Sequence, residues 1–220
     1  MHQVIRFAHW DAQKLRFFAP LMQTLALKMP STYSTPNRIV WEYFEALRRL
    51  CWRVQNSENE NEIRQDAALC VILAVNGVET FLNVYFRVLV SEKEFKDSHE
   101  KITQDLNLKV GIDTKIREWP VVVLKQKIEL GSGIGQRFTE LKNKRNHLTH
   151  FSSSHETIKV PGVVLNGMAD TSVYDSMNKE MAVTALEVAE AFICEVFRLR
   201  GIEADRLPHS LHAWTGKPPN

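Results

Sequence analysis

Apolar residues recur along most of this chain at intervals of three and four, the period of helices that bury one face. Val40, Tyr43, Phe44, Leu47, Leu50, Cys51 and Val54 follow that spacing. They predict an amphipathic helix with Thr35 as its cap and Pro36 at its first position. Glu45 and Arg49, one turn apart, belong to its outer face. Ser57 and Glu60 read as a capping box that opens a long second helix running to about Val90. Its main stripe is Ile63, Ala67, Cys70, Leu73, Ala74, Val78, Phe81, Leu82, Tyr85 and Val88. Leu69, Val71, Ile72, Val75 and Val84 make much of the remaining surface apolar, which predicts a central place in a bundle. Asn76, Glu79 and Asn83 interrupt it as a narrow polar stripe.

Further along, Ser91 and Glu94 suggest another capping box, with Phe95, Ile102 and Leu106 on the buried side of a third helix. Between Gly111 and Leu130, Pro120 opens a helix or Val121 to Val123 run extended; the helical reading is favoured. Gly131 to Gly135 break the pattern before a helix from about Gln136 to His150. A long connection, Ser152 to Met177, follows, with two candidate short strands around Val160-Pro161-Gly162-Val163 and Asn166-Gly167, a candidate β-hairpin. Connections of that length are usually functional or mobile. The last strong helix spans about Lys179 to Arg200, with Ala182, Leu186, Ala189, Ile193, Val196 and Phe197 inward and Gly201 as C-cap. The expected class is therefore all-α, a helical bundle with a long loop before its last helix. Residues 36–200 form the domain, 1–35 an N-terminal extension with a short helix around Ala12 to Leu27, and 201–220 a surface tail anchored by Trp214.

Composition narrows this picture only a little. The chain is 44% hydrophobic and 25% charged, ordinary for a globular protein, and its 9 glycines and 8 prolines are too few for a many-turned β-sandwich. A net charge of +2 neither demands nor excludes a nucleic-acid partner. Cys51, Cys70 and Cys194 sit in apolar helical patterns, none spaced as a metal knuckle or redox pair, and read as buried thiols of a reducing compartment. The longest uninterrupted apolar run, Ala67 to Val75, falls short of the ~20 residues of a membrane span. The N-terminus lacks a secretory signal pattern. A cytoplasmic location and no membrane association are expected. Trp10, Trp41, Trp52 and Trp119 read as core or interface residues.

Candidate chemistry concentrates in Leu141-Lys142-Asn143-Lys144-Arg145-Asn146-His147-Leu148-Thr149-His150. At about 100° per residue, Ile134, Phe138, Leu141 and Leu148 share a face with Arg145. A guanidinium turned towards a core interface needs acceptors. Glu79, with Asn76 and Asn83, is the expected supply, so these two helices should pack with Arg145 near Glu79. Asn146 and His150 neighbour each other one turn apart. A helix C-terminus favours a charged imidazole by roughly 0.3–1 kcal/mol, which keeps the ring titrating near neutrality. An arginine, an amide and such a histidine together suit metal-free phosphodiester cleavage. The alternative is structural: Arg145 ties two helices through Glu79, while Asn146 and His150 cap the helix end. His147, His150 and His155 lack a cysteine or carboxylate to complete a metal set, so no metal and no cofactor are expected. Lys125, Lys127, Arg137, Lys142, Lys144 and Arg145 form a basic excess suited to an RNA backbone or to a solvated helix face.

Arg145-Asn146 followed by His150 resembles the RN-x3-H motif of the HEPN superfamily. The resemblance extends to a long apolar helix with an embedded glutamate (Val75 to Leu82), to Phe138 and Leu141 just before the motif, and to an apolar helix after it. It implies a helical bundle that forms a homodimer with motif helices facing each other. It also implies a metal-independent endoribonuclease of a toxin or defence system that leaves 2′,3′-cyclic phosphate ends, or an inactive interaction module. Arg145 and His150 would be catalytic and Asn146 would orient them. Glu79, Asn76, Asn83 and Thr149 would give support, and Lys142 and Lys144 would contact RNA. An antitoxin protein is the further implied partner. Ser152 stands where members modified by a nucleotidyltransferase antitoxin often carry tyrosine, which speaks against that modification. Arg145 and His150 lie about 140° apart on an ideal helix, so pooling side chains across a symmetric dimer is a requirement of the enzymatic reading.

Overall fold

The computed structural model describes residues 34–149, 156–168 and 170–219. The short helix expected around residues 12–27, Trp10, His150 and His155 lie outside them. Among the described residues the chain is an all-α bundle carrying one two-stranded hairpin.

Helix α1 (Arg38–Asn56) buries Val40, Phe44, Leu47, Cys51 and Val54, the stripe read from spacing. Its outer face carries the Arg49–Glu45 pair at 2.8 Å. The cap position is Asn37 rather than Thr35, and the Asn37 side chain serves another purpose, donating to the Ala213 carbonyl at 2.5 Å. Helix α2 (Glu60–Leu89) is the central rod. Its cap is also displaced from the expected one. Asn59 Oδ1 accepts from the amides of Asn61 and Glu62 at 3.0 and 3.3 Å, while Ser57 Oγ accepts from Asn59 and donates to Glu62. Asparagine beside the first turn reaches the orphan amides directly, so the serine supports the cap from outside.

α2 is long and apolar enough to cross a membrane, with a mean hydropathy of 1.8 over its best window, and just over half of that window (56%) is buried inside the protein. Helices α1, α3 (His99–Asn107), α4 (Ile112–Trp119), α5 (Gly133–Thr149), α6 (Ser172–Asp175) and α7 (Lys179–Leu199) all pack on it. A sequence apolar on most sides thus finds neighbours on most of them, with Leu69 left exposed.

Between α2 and α3 the expected Ser91 capping box is absent. Ser91 Oγ donates back to the Val88 carbonyl at 2.6 Å, and a 3-10 turn, Lys93–Ser98, leads into α3. Val121 to Val123 are helical, not extended: α4 passes through Pro120 into a π-helical turn, Pro120–Leu124, that Lys125 ends at φ 57°. Pro120 therefore continues a helix rather than opening one.

The long connection contains β1 (Glu156–Val160) and β2 (Val163–Met168), antiparallel, with Val160 opposite Val163 and Ile158 opposite Leu165. Pro161 and Gly162 form the turn itself, Gly162 at φ 82°, so the first candidate strand straddled a reversal. Asn178 caps α7 by accepting from Met181 at 2.8 Å. Gly201, at φ 88°, ends it as expected, with the Gly201 and Ile202 amides bonding back to Arg198 and Phe197.

The segment after Gly201 is not a surface arm. It folds into α8 (Leu207–Thr215), whose Leu207, Leu211 and Thr215 are buried against α1 and α7. Trp214 anchors it edge-on against Phe81 and Tyr85, with centroids 5.4 and 5.3 Å away. Arg48 donates to the Thr215 carbonyl and pairs with Glu190 at 3.3 Å, and Lys217 reaches the same carboxylate at 2.8 Å. Gly216 sits against the Trp41 ring, where a Cβ would come within 2.6 Å of Cε2. Three aromatic contacts and a chain of ion pairs hold a segment whose own apolar content was too thin to reveal this.

Candidate functional site

The motif helix α5 is held at both ends of its buried face. At its start Gly135 lets the Glu129 carbonyl approach so closely that a Cβ there would sit 2.3 Å from the oxygen. One turn later Phe138, fully buried, stacks on Phe192 of α7 at 4.1 Å. Leu141 is buried too, and Ile134 and Leu148 pack against the core. The face inferred from helical spacing is the one the fold buries. Arg145 lies on it and is half-buried.

The two helices pack as expected, yet the Arg145–Glu79 pair does not form. Glu79 Oε1 instead accepts from Lys115 of α4 at 2.6 Å, and the Lys115 ammonium is also 5.8 Å from the Trp119 ring centroid. Lys115 is only 5% exposed. Its place was legible in hindsight: Ile112, Lys115, Ile116 and Trp119 make one buried stripe, with a lysine at an apolar position. A buried ammonium has a stronger claim on the carboxylate than a guanidinium with an exit towards solvent.

Lys142 departs further from expectation. It is 6% exposed and its ammonium is committed to Asp113 of α4, so it is withdrawn from any external phosphate. Lys144 is half-buried and His147 exposed, with its Nδ1 2.8 Å from the Asn143 carbonyl. Thr149 Oγ1 donates to the Arg145 carbonyl at 2.9 Å, tightening the last turn of the helix, and Asn146 is half-buried on its flank. On α2, Asn76 is half-buried, and Asn83 Oδ1 is shielded from solvent without a hydrogen-bond partner. Beside the end of α5, the Ser172 hydroxyl and amide hold the Asp170 carboxyl below its ordinary range, and His147 adds to that effect.

One residue stands apart from the rest. Among the described residues, the half-buried arginines Arg48, Arg64 and Arg200 each have a carboxylate partner within 4 Å. Arg145 has none, and its Nε is sealed from solvent with no acceptor.

No family model, no curated protein and no solved structure matches the chain.

α2, α4 and α5 form a three-helix corner in which Lys115–Glu79 and Lys142–Asp113 lock α4 against its neighbours. Among the described residues, no group of three or more His, Cys, Asp and Glu side chains is placed to hold a metal ion. The chemistry left open at this corner is that of one uncommitted guanidinium beside a half-buried amide.

Proposed function

We propose that the chain is a HEPN-like, metal-independent endoribonuclease of a toxin or defence system, acting on RNA as a homodimer. The observation that carries this reading is Arg145: a half-buried guanidinium on a packed helix face whose Nε is sealed from solvent without an acceptor and which pairs with no carboxylate among the described residues. The desolvation of that Nε is uncompensated among the described residues, which favours an anionic group supplied from outside. A phosphodiester fits, because charge that develops on the phosphorane is what a preorganised guanidinium stabilises. His150, one turn beyond Asn146 in sequence, would take the proton from the ribose 2′-hydroxyl or give one to the leaving oxygen. Asn146 would orient both. The second copy supplies the group that a single helix carries on the wrong side. Lys144 remains the lysine of the motif segment available to the RNA backbone; Lys142 does not.

A second reading, an inactive interaction module, is favoured by a different observation: Trp52 is 69% exposed and Leu69 46% exposed on the neighbouring helices α1 and α2. Exposed tryptophan is a common anchor of protein interfaces.

The test is direct. Wild type and His150→Ala are incubated with mixed RNA in EDTA, and their mass in solution is measured by light scattering. Cleavage by the wild-type dimer alone, leaving 2′,3′-cyclic phosphate ends, is the expected result. Equal cleavage by both proteins removes His150 from the mechanism, and a wild-type chain that cleaves no RNA leaves the module reading in its place.

A further inference from the structure

Two of the three cysteines meet in the core, away from the motif helix. Cys51 of α1 and Cys70 of α2 have their sulfurs 3.6 Å apart, although 19 residues separate them in sequence. Cys51 also donates to the Ala182 carbonyl at 3.2 Å, at the start of α7. That contact uses its one hydrogen, so Cys70 must be the donor between the two thiols. The result is a short chain, Cys70 to Cys51 to Ala182, running across three helices. The hydrogen bond from Cys70 lowers the Cys51 thiol below its ordinary range, and the same bond, with burial, pushes Cys70 up. Both are buried, Cys51 keeping 6% of its surface exposed against none for Cys70.

Small residues make the approach close. Ala67 and Ala74, one turn either side of Cys70 on α2, are buried, as is Ala182, which Cys51 touches, and Gly77 sits where a Cβ would meet the Phe44 ring at 3.2 Å. Two helices already this tight need a sulfur displacement of only about 1.5 Å to reach the disulfide distance of about 2.05 Å. Cys194, half-buried on α7, is the third free thiol, and burial pushes it up.

We propose that Cys51 and Cys70 are a peroxide-responsive dithiol, which closes into an intrachain disulfide stapling α1 to α2. The step is balanced by a hydroperoxide as the two-electron oxidant. Cys51, as thiolate, attacks the peroxide oxygen and becomes a sulfenic acid, releasing an alcohol or water. Cys70 sulfur then attacks Cys51 sulfur, and the second oxygen leaves as water with the two thiol protons accounted for. Closure frees the Ala182 carbonyl from its thiol donor and ties the two helices that begin the described bundle. This goes beyond the ribonuclease reading and does not depend on it.

The experiment uses the full native chain. It is treated with a small molar excess of hydrogen peroxide, unfolded in the presence of an alkylating agent, and analysed by intact mass and tryptic mapping. The expected product has lost two hydrogens, about 2 Da. Peptides 50–53 and 65–87 are joined in it, and Cys194 is alkylated. Dithiothreitol should restore the starting mass, and oxidation should raise the thermal midpoint by several degrees. The same link should form in Cys194→Ser. Alkylation of both Cys51 and Cys70 after peroxide, oxygen adducts without a link, or a link that appears only in the urea-unfolded chain would each overturn the proposal. All three outcomes are read on the wild-type sequence, so none of them depends on whether a Cys51 or Cys70 variant folds.

Discussion

Replacing Arg145 with methionine separates the two roles open to it, because they predict opposite signs. If Arg145 ties α5 to the bundle, Arg145→Met weakens the fold. If its guanidinium is held for an external anion, the isolated protein bears an uncompensated cost that methionine removes. A shielded donor without a partner costs about 1–3 kcal/mol. Met fits a face already formed by Ile134, Phe138, Leu141 and Leu148 without adding bulk. Some of the arginine stem packing is lost in exchange, so the expected net gain is about 1–2 kcal/mol. With an m-value of about 2 kcal/mol/M in urea, the unfolding midpoint should rise by roughly 0.5–1 M at unchanged m. The assay is urea denaturation followed by circular dichroism at fixed protein concentration, with RNA cleavage measured on the same samples. A midpoint that falls by that amount refutes the argument, since it makes Arg145 a structural tie. A raised midpoint with cleavage intact leaves the energetics standing but moves the active centre elsewhere.

Other substitutions probe the supports of the same corner. Glu79→Ala strands the buried Lys115 ammonium and should cost about 3 kcal/mol, most of it recovered in the Glu79→Ala/Lys115→Met double variant; a double-mutant cycle in urea, closed with Lys115→Met, measures both. Gly135→Ala drives a Cβ into a backbone carbonyl and should cost about 2 kcal/mol or more, visible as a lower melting temperature, whereas an unchanged melt would mean that the Glu129 turn yields freely. Tyr85 is a pH probe. Its hydroxyl is shielded without a partner, and burial pushes it above its ordinary value of 10.0. The unfolded chain therefore loses that proton first, so stability is complete below about pH 10 and declines as the pH rises past it. Tyr85→Phe should leave neutral-pH stability equal or slightly higher and reduce the alkaline decline; an identical alkaline decline in both proteins would count against this.

The helices were legible because each carries a long, regular stripe. Residues 40–54, 63–88 and 182–197 needed only spacing to place their buried faces, and the fold buries those faces. Caps were less legible, because several polar residues near a helix start can each serve: Asn37 and Asn59 hold the positions assigned to Thr35 and Ser57. The face of the motif helix could be read, but the ionic partners across it could not. Periodicity on one helix says which way Arg145 points and nothing about which cation arrives first at Glu79. Lys115 and Lys142 each occupy positions where an apolar residue would be expected, and that oddity was the available signal. The docking of α8 was hidden for a related reason. Its attachment rests on single residues, Asn37, Trp41, Arg48 and Trp214, whose partners are most of the chain away.

That distance bears on how the protein comes into being. The Asn37 side chain bonds a carbonyl 176 residues downstream. On a ribosome, α1 and the central rod therefore emerge long before α8 exists to cover them. The Trp41 ring, Arg48 and the Phe81–Tyr85 edge wait, uncovered, while the remaining helices are made. Contacts of such span slow closure and prolong exposure of apolar surface. The nascent chain should be most prone to aggregation in the interval before residues 207–216 are released, which is when a holding chaperone would have the most to cover.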